Sequence, residues 1–407
     1  MSETPRAQGT AARTDSRLSA LDGLRGVAAA IVVLHHTLLL TPAISNVYMQ
    51  GPFPERGSMA WWLSYTPLKI ASAGSEAVLV FFVLSGLVLA LPVLRRTDFD
   101  WSAYYPRRMV RLYVPVIASV LLAVVLVLAV PQVDVPSGSK WLFLHSIPEL
   151  SWPKVIHAMS LFDGDFQLNN PLWSLQWEIA FSVCLPVFVL GAFALRRLWL
   201  VGVLAALVAS WIGLITGTPS LTYLPVFFAG TLLAVGLPDI RRLADRLAAR
   251  WTGHLVWIAL LVGAGLALVA PWLIGADRRL ETLPRNLAGA LVPFAAVVIV
   301  VCALGWRPLA AVLSRGVLRQ LGLISFSLYL VHAPVLVFTS HLMAGQSRYL
   351  INPIALTLCV LVAYGFYWLV EKRSHEWARR VGAWGSRTMR REAAPAQEPA
   401  QATTVSA

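Results

Sequence analysis

Charge is scarce in this sequence: 13% of its 407 residues are Asp, Glu, Lys or Arg, while 57% are apolar. That balance excludes a soluble globular chain, which carries about a quarter charged residues. Cysteine is scarcer still. Cys184, Cys302 and Cys359 all lie inside apolar runs without C-x-x-C spacing, so neither a disulfide framework nor a zinc site is expected. Acidic residues are outnumbered, 20 against 33 Lys plus Arg, for a formal charge of +13. In a soluble chain this excess would point to nucleic acid. Here the basic residues gather in short segments between apolar runs, so the charge reads as membrane topology and no nucleic-acid partner is expected. There is no internal repeat of the length that builds solenoids.

What is present in abundance is long apolar segments. Ten runs, near 21–41, 76–94, 113–130, 173–195, 198–216, 222–237, 252–274, 286–304, 321–341 and 351–370, are each of the order needed to cross a ~30 Å hydrocarbon layer as a helix. The expected fold is therefore an all-α polytopic transmembrane bundle of about ten spans. Lys and Arg divide between alternate connecting segments roughly three to one, which puts both termini in the cytoplasm by the positive-inside rule. A cleaved signal peptide is the competing reading of the first run, because Arg6, Arg13 and Arg17 precede it. The run is too long and carries Arg25 and two histidines, so a retained helix is expected. The organisation expected is a cytoplasmic segment at 1–20, a membrane domain at 21–374 and a basic, disordered cytoplasmic tail at 375–407, with no second soluble domain after it.

Ionisable groups inside spans are costly, so each needs a partner, a wet cavity or a task. In the first helix, Leu21-Asp22-Gly23-Leu24-Arg25 leads into a run ending at His35-His36. Eleven residues separate Arg25 from His36, three turns plus about 20°, so both project from one face roughly 16 Å apart, while His35 points about 80° away. Arg25 either serves a site or snorkels to headgroups, and His36 either reacts or bonds a neighbouring helix. Ser85-Gly86 in the second run permits close helix approach. Arg107-Arg108-Met109-Val110-Arg111 follows, and Arg108 and Arg111, three apart, would clamp a phosphate-bearing ligand if helical, or simply anchor the cytoplasmic side. Trp173-Ser174-Leu175-Gln176-Trp177-Glu178 puts a carboxylate near the outer end of the fourth run. Glu178 pairs with a histidine or a substrate hydroxyl, or else is interfacial, with Trp173 and Trp177 in an aromatic belt. Ser325, Tyr329 and His332 share one face of the ninth run, a polar stripe that implies an internal cavity. The long segment 131–172 holds Trp141, Trp152, Asp163, Asp165, Asn169 and Asn170, which suits either sugar binding or an ordinary interfacial loop.

Taken in order, the Leu-Asp-Gly-Leu-Arg start with His36 eleven residues past Arg25, Phe-Phe-Val-Leu-Ser-Gly at 81–86, Arg108-x-x-Arg111, Trp173-Ser174-Leu175 with Glu178, and Ser325 to His332 make the chain resemble the acyltransferase-3 family. These are integral-membrane enzymes that O-acylate sugars, glycolipids, surface polysaccharides and macrolide-type metabolites. The resemblance covers residues 21 to about 332. It implies acyl-CoA as a cytoplasmic co-substrate, no permanently bound cofactor or metal, His36 as the key catalytic residue, and functional roles for Arg25 and the Arg108/Arg111 pair. Family members that acetylate surface polymers often carry an extra hydrolase-like domain. This chain is expected to lack one, so the acceptor meets the membrane unit itself or a separate partner.

Acyl transfer from a thioester to an alcohol requires a base for the hydroxyl and a donor for the oxyanion. Imidazole suits the first task, so His36 is expected to be the general base, with Arg25 holding the carbonyl oxygen or, better suited by its distance, the CoA phosphates. Arg107, Arg108 and Arg111 would grip the CoA head. Glu178, Trp173, Ser325, Tyr329 and His332 are the remaining substrate-facing or structural polar candidates. A covalent acyl-histidine is the alternative chemistry. From another class, a proton-coupled secondary transporter also uses buried Arg, His and Glu, although no matched halves or broken helix pairs are visible here. The expected location is the plasma membrane of a bacterium, and the expected reaction is O-acylation, acetylation above all, of a carbohydrate or related metabolite.

Overall fold

An apolar run surrounded by lipid must satisfy its own backbone hydrogen bonds, and the expected runs do so as helices. The computed structural model describes residues 5–49, 52–132, 135, 138–162, 166–275 and 282–393, with the side chains of 5–18, 282, 283 and 389–393 excepted. Every regular element among them is helical. The order is α1 (Pro5–Leu39), α2 (Pro42–Tyr48), α3 (Met59–Tyr65), a 3-10 turn (Pro67–Ser72), α4 (Gly74–Leu94), α5 (Trp101–Ala129), α6 (Lys140–His145) and α7 (Trp152–Ser160). Then come α8 (Leu172–Val183), α9 (Leu185–Ala194), α10 (Trp199–Thr216), α11 (Pro219–Ala248), α12 (Gly253–Leu268), α13 (Ala270–Gly275), α14 (Thr282–Gly289) and α15 (Leu291–Gly305). The chain closes with α16 (Arg307–Leu313), α17 (Gly316–Leu342), α18 (Arg348–Phe366), a π turn (Tyr367–Glu371) and α19 (Lys372–Ala393).

Among the described residues, eight helices are long and apolar enough to cross a membrane, or nine if α8 and α9, bent by 64° at Cys184, form one span. The seventh expected run, at 252–274, breaks into α12 and α13. The 16 residues of α12 rise only about 24 Å, short of a full crossing.

Backbone contact through glycine sets the core. A Cβ on Gly23 would collide with the Leu313 carbonyl, one on Gly26 with the Gly322 amide, and one on Gly322 with the Asp22 carbonyl. Helices α1 and α17 therefore run parallel and nearly touching, with residue 26 beside 322. Ten residues further on, the same offset sets His36 beside His332. Gly86 and Gly230 bring α4 against α11 in the same way, each Cβ position being filled by a carbonyl of the other helix, as the Ser85-Gly86 pair suggested.

Two boundaries differ from expectation, both for capping or packing reasons. Helix α5 starts twelve residues before the apolar run at 113, because Asp100 caps it, accepting from the Ala103 amide at 2.9 Å and the Ser102 hydroxyl at 2.6 Å. The Arg107–Arg111 segment is thus inside a helix. The expected disordered tail at 375–407 is instead helical as far as Ala393, the remainder lying outside the described residues. It holds because Gly382 and Gly385 let α19 press against the backbone of Ala103 and Ser102, and Ser386 donates to the other Asp100 oxygen at 2.6 Å.

Gly322→Val should force α1 and α17 apart and lower the thermal midpoint in detergent by something on the order of 5 °C. Gly263→Ala in α12, where no atom lies within 4 Å of the added carbon, should leave it unchanged.

Candidate active site

His36 sits near the end of α1, half-buried, with its Nδ1 2.9 Å from His332 Nε2. His332, fully buried on α17, places Nδ1 3.1 Å from the Leu328 carbonyl. A carbonyl only accepts, so Nδ1 of His332 carries the proton and its Nε2 is a lone pair. His36 must then donate through Nδ1. The basic nitrogen left to His36 is Nε2, and Asn170 Nδ2 meets it at 3.3 Å. His35 faces elsewhere, packed on Gly74 and edge-on to Tyr48 at 4.6 Å, as the helical period requires.

At the other end of the same helix face, Arg25 opens on a cavity of about 600 Å³. Arg108, Arg111, Arg319, Glu178 and Glu371 share its wall. Arg108 is buried and committed: it donates to Glu178 at 2.6 Å and to the Ser182 hydroxyl at 3.0 Å, while Ser85 also donates to Glu178 at 3.3 Å. Arg25 is looser, with Asp22 4.0 Å away. Arg111 projects into the open volume. Glu371 is held by the Ser327 amide at 3.1 Å and hydroxyl at 2.5 Å. The π turn that ends α18 brings this carboxylate, together with Tyr367 and His375, onto the wall. Four guanidiniums against the three carboxylates of Asp22, Glu178 and Glu371 in a wide recess suit a ligand rich in phosphate.

A narrow neck of about 30 Å³ adjoins the cavity, sharing Arg25, Ser85, Glu178 and Ser325 with it and bounded also by Phe81, Ser174 and Tyr329, and the Tyr329 ring lies 5.9 Å from that of His332. Ser174 donates to the Pro171 carbonyl at 3.1 Å, so the Tyr329 hydroxyl donates to Ser174, at 2.6 Å. Phe81 stands edge-on to Tyr329 at 5.7 Å.

Of the residues singled out by sequence, Arg25, Arg108, Arg111, Glu178 and Ser325 line the cavity, Tyr329 closes the neck and His36 meets His332. Two do not join them. Arg107, one residue from Arg108 and so about 100° round the helix, packs against Gly382 of α19. Trp173 lies in an aromatic cluster with Phe82 and Tyr223, ring centroids 6.5 and 5.2 Å away. The carboxylate of Glu178 pairs with an arginine, not with a histidine. Asp163 and Asp165 lie outside the described residues, and Trp152 is exposed on α7. The sequence reading missed Arg319, Glu371 and His375, the last two an i, i+4 pair that only the π turn turns inward. It placed Asn170 in an outer segment without linking it to His36.

Beside His35 lies a second buried charge. Lys69 donates to the Ser72 carbonyl at 3.2 Å, and its ammonium stands 4.2 Å from the Trp272 ring and 5.2 Å from that of Tyr48. Trp272 in turn donates to Glu76 at 2.7 Å. Burial pulls Lys69 down to about 8, against the opposing pull of Glu76, and pushes the Tyr48 phenol up. Burial also holds the His145 imidazole below its ordinary range.

A family model described as an acyltransferase domain matches residues 18–371. Acyltransferase MdmB of Streptomyces mycarofaciens is 27% identical over 310 residues, covering 69% of this chain and 73% of that protein. O-acetyltransferase PaAT-1 of Phomopsis amygdali is 28% identical over 418 residues, covering 86% and 79%. No solved structure matches.

Two measurements check this geometry. Arg108→Ala or Glu178→Ala strands a buried charge and should each cost about 3 kcal/mol, with the double replacement costing clearly less than the sum. Simple addition in a denaturation cycle would show that the pair is not coupled. For Lys69, the unfolded amine titrates above the folded one, so between pH 8 and 10 the unfolded chain binds more protons and stability should rise with pH. Lys69→Met should flatten that rise relative to wild type.

Proposed function

The chain belongs to the acyltransferase-3 family and is a membrane acyltransferase, and from that premise we propose that it carries a short acyl group from acyl-CoA to a hydroxyl of a carbohydrate, glycolipid or glycosylated macrolide-type metabolite. The observation that carries this reading is an arginine-walled cavity whose narrow neck is bounded by Tyr329, the ring beside His332 and so beside the imidazole of His36. CoA is a phosphate-rich head on a thin pantetheine arm. Arg111 and Arg25 hold the head, Arg319 stands at the rim, and the arm points along α1 toward His36.

The acceptor hydroxyl gives its proton to His36 Nε2 as its oxygen bonds to the thioester carbonyl carbon. His332 takes the hydrogen bond from Nδ1 and steadies the imidazolium, its own Nδ1 fixed by Leu328. When the carbon–sulfur bond breaks, the thiolate recovers the proton from His36, so the cycle is proton-neutral. The Tyr329–Ser174 hydrogen bond lies in the wall of the neck, and the thioester passes toward His36 as those two side chains part. Keeping that contact closed until a donor is bound limits loss of acyl groups to water.

The excess of basic residues on the cavity side supports entry of acyl-CoA from the cytoplasm of a bacterial cell. The name of the Phomopsis amygdali relative, an O-acetyltransferase, favours acetyl. The test is steady-state transfer by purified protein. His36→Ala should lower kcat by about 10²-fold or more at unchanged fold, and Arg111→Ala should raise the KM for acetyl-CoA about tenfold with kcat nearly intact. Full turnover in His36→Ala would overturn the base assignment. Unchanged donor KM in Arg111→Ala would overturn the donor site.

A further inference from the structure

We infer that Asn170 is a third catalytic residue, whose carboxamide N–H moves from His36 to the carbonyl oxygen of the acyl group as the tetrahedral intermediate forms. The inference rests on the acyl-transfer reading above and extends it to the oxyanion, for which the cavity arginines are too distant.

An imidazole lone pair faces a carboxamide. His36 Nε2, shown above to be unprotonated, lies 3.3 Å from Asn170 Nδ2. An inverted amide would set its oxygen against that lone pair, so His36 fixes the orientation of Asn170. His145, with its Nδ1 2.7 Å from the Trp141 carbonyl, adjoins the same carboxamide.

The backbone beneath is equally fixed. Asn169, fully buried, donates to the Ser119 hydroxyl at 3.2 Å and to the Leu330 carbonyl at 3.0 Å, tying the segment to α5 and α17. The Asn169 carbonyl then accepts from Leu172 at 3.1 Å to start α8. His36, Asn170 and His145 are all half-buried, so an acceptor can approach them without unpacking the core.

When a hydroxyl takes His36 Nε2, the Asn170 N–H released from that nitrogen stays beside the reacting carbon, on a segment anchored through Asn169. As the acceptor oxygen bonds to that carbon, the carbonyl π electrons move onto its oxygen, and this N–H receives the charge. Collapse of the intermediate expels the thiolate, which takes the proton from His36, and the carboxamide returns to the imidazole.

The experiment uses the full-length enzyme in detergent, acetyl-CoA as donor, and methyl glucoside or water as the probe acceptor, with thiol release as the readout. Asn170→Ala should lower kcat about 10²-fold, as loss of one oxyanion donor does, while CoA affinity and thermal midpoint stay at wild-type values. Asn170→Asp keeps the shape but sets a carboxylate against His36, favouring imidazolium, so the acid limb of the pH–rate profile should move up by about one unit. A kcat within twofold of wild type in Asn170→Ala, or an unshifted acid limb in Asn170→Asp, overturns the inference. If Asn170→Ala fails to fold, the Asp variant decides alone. His36→Ala separates the two claims: thiol release surviving there sinks the general base, whereas its loss beside a fully active Asn170→Ala sinks only the role of Asn170.

Discussion

The whole arrangement depends on two parallel helices brought close enough for their backbones to meet. In lipid there is little hydrophobic drive between helices, so association rests on close packing, and small residues permit the closest packing. Gly26 of α1 against Gly322 of α17, with Gly23 against Leu313 of α16 just before it, does more than stabilise the crossing. These contacts fix its register, and a fixed register over ten residues turns a contact at one end of the helices into a hydrogen bond between two imidazoles at the other. One face of α1 thereby presents a guanidinium to a wide recess and an imidazole to a dry one.

The two ends of that face have opposite electrostatic character. Around Arg25 the wall is charged and partly self-neutralised, with Arg108 bound to Glu178 and Glu371 tied to Ser327. A buried pair of this kind is weak evidence of stability in itself, but it holds α8 against α5 and so positions Ser174, one turn before Glu178. Around His36 the groups are neutral hydrogen-bonding partners anchored on backbone carbonyls of Leu328 and Trp141. A single tautomer results without any fixed charge beside the base, which leaves its lone pair available to a hydroxyl.

Much of this was legible in the chain, for reasons of period. A helix repeats every 3.6 residues, so the shared face of Arg25 and His36, the divergence of His35, and the stripe of Ser325, Tyr329 and His332 followed from spacing alone. The same arithmetic would have set Arg107 apart from Arg108 and Arg111 had the start of α5 been read from Asp100 and not from hydropathy. What spacing could not supply was the identity of partners far away in sequence. Glu178 meets an arginine 70 residues earlier and Asn170 a histidine 134 residues earlier, and no local pattern encodes either. Glu371 and His375 were hidden differently: one extra residue in a π turn rotates everything after it, so a face computed at 100° per residue points the wrong way. The helical continuation into α19 was masked by composition, since two glycines that look like breakers serve as close-approach points on α5.

The closed neck also bears on the cell that houses such a protein. A polar recess that bores deep into a bilayer is a hazard, because a continuous file of water would short-circuit the ion gradients on which the membrane runs. The phenol of Tyr329, hydrogen-bonded to Ser174 and backed by Phe81, sets an aromatic pair in the wall of the neck, where such a file would have to pass, and so helps the lipid sheet remain an insulator.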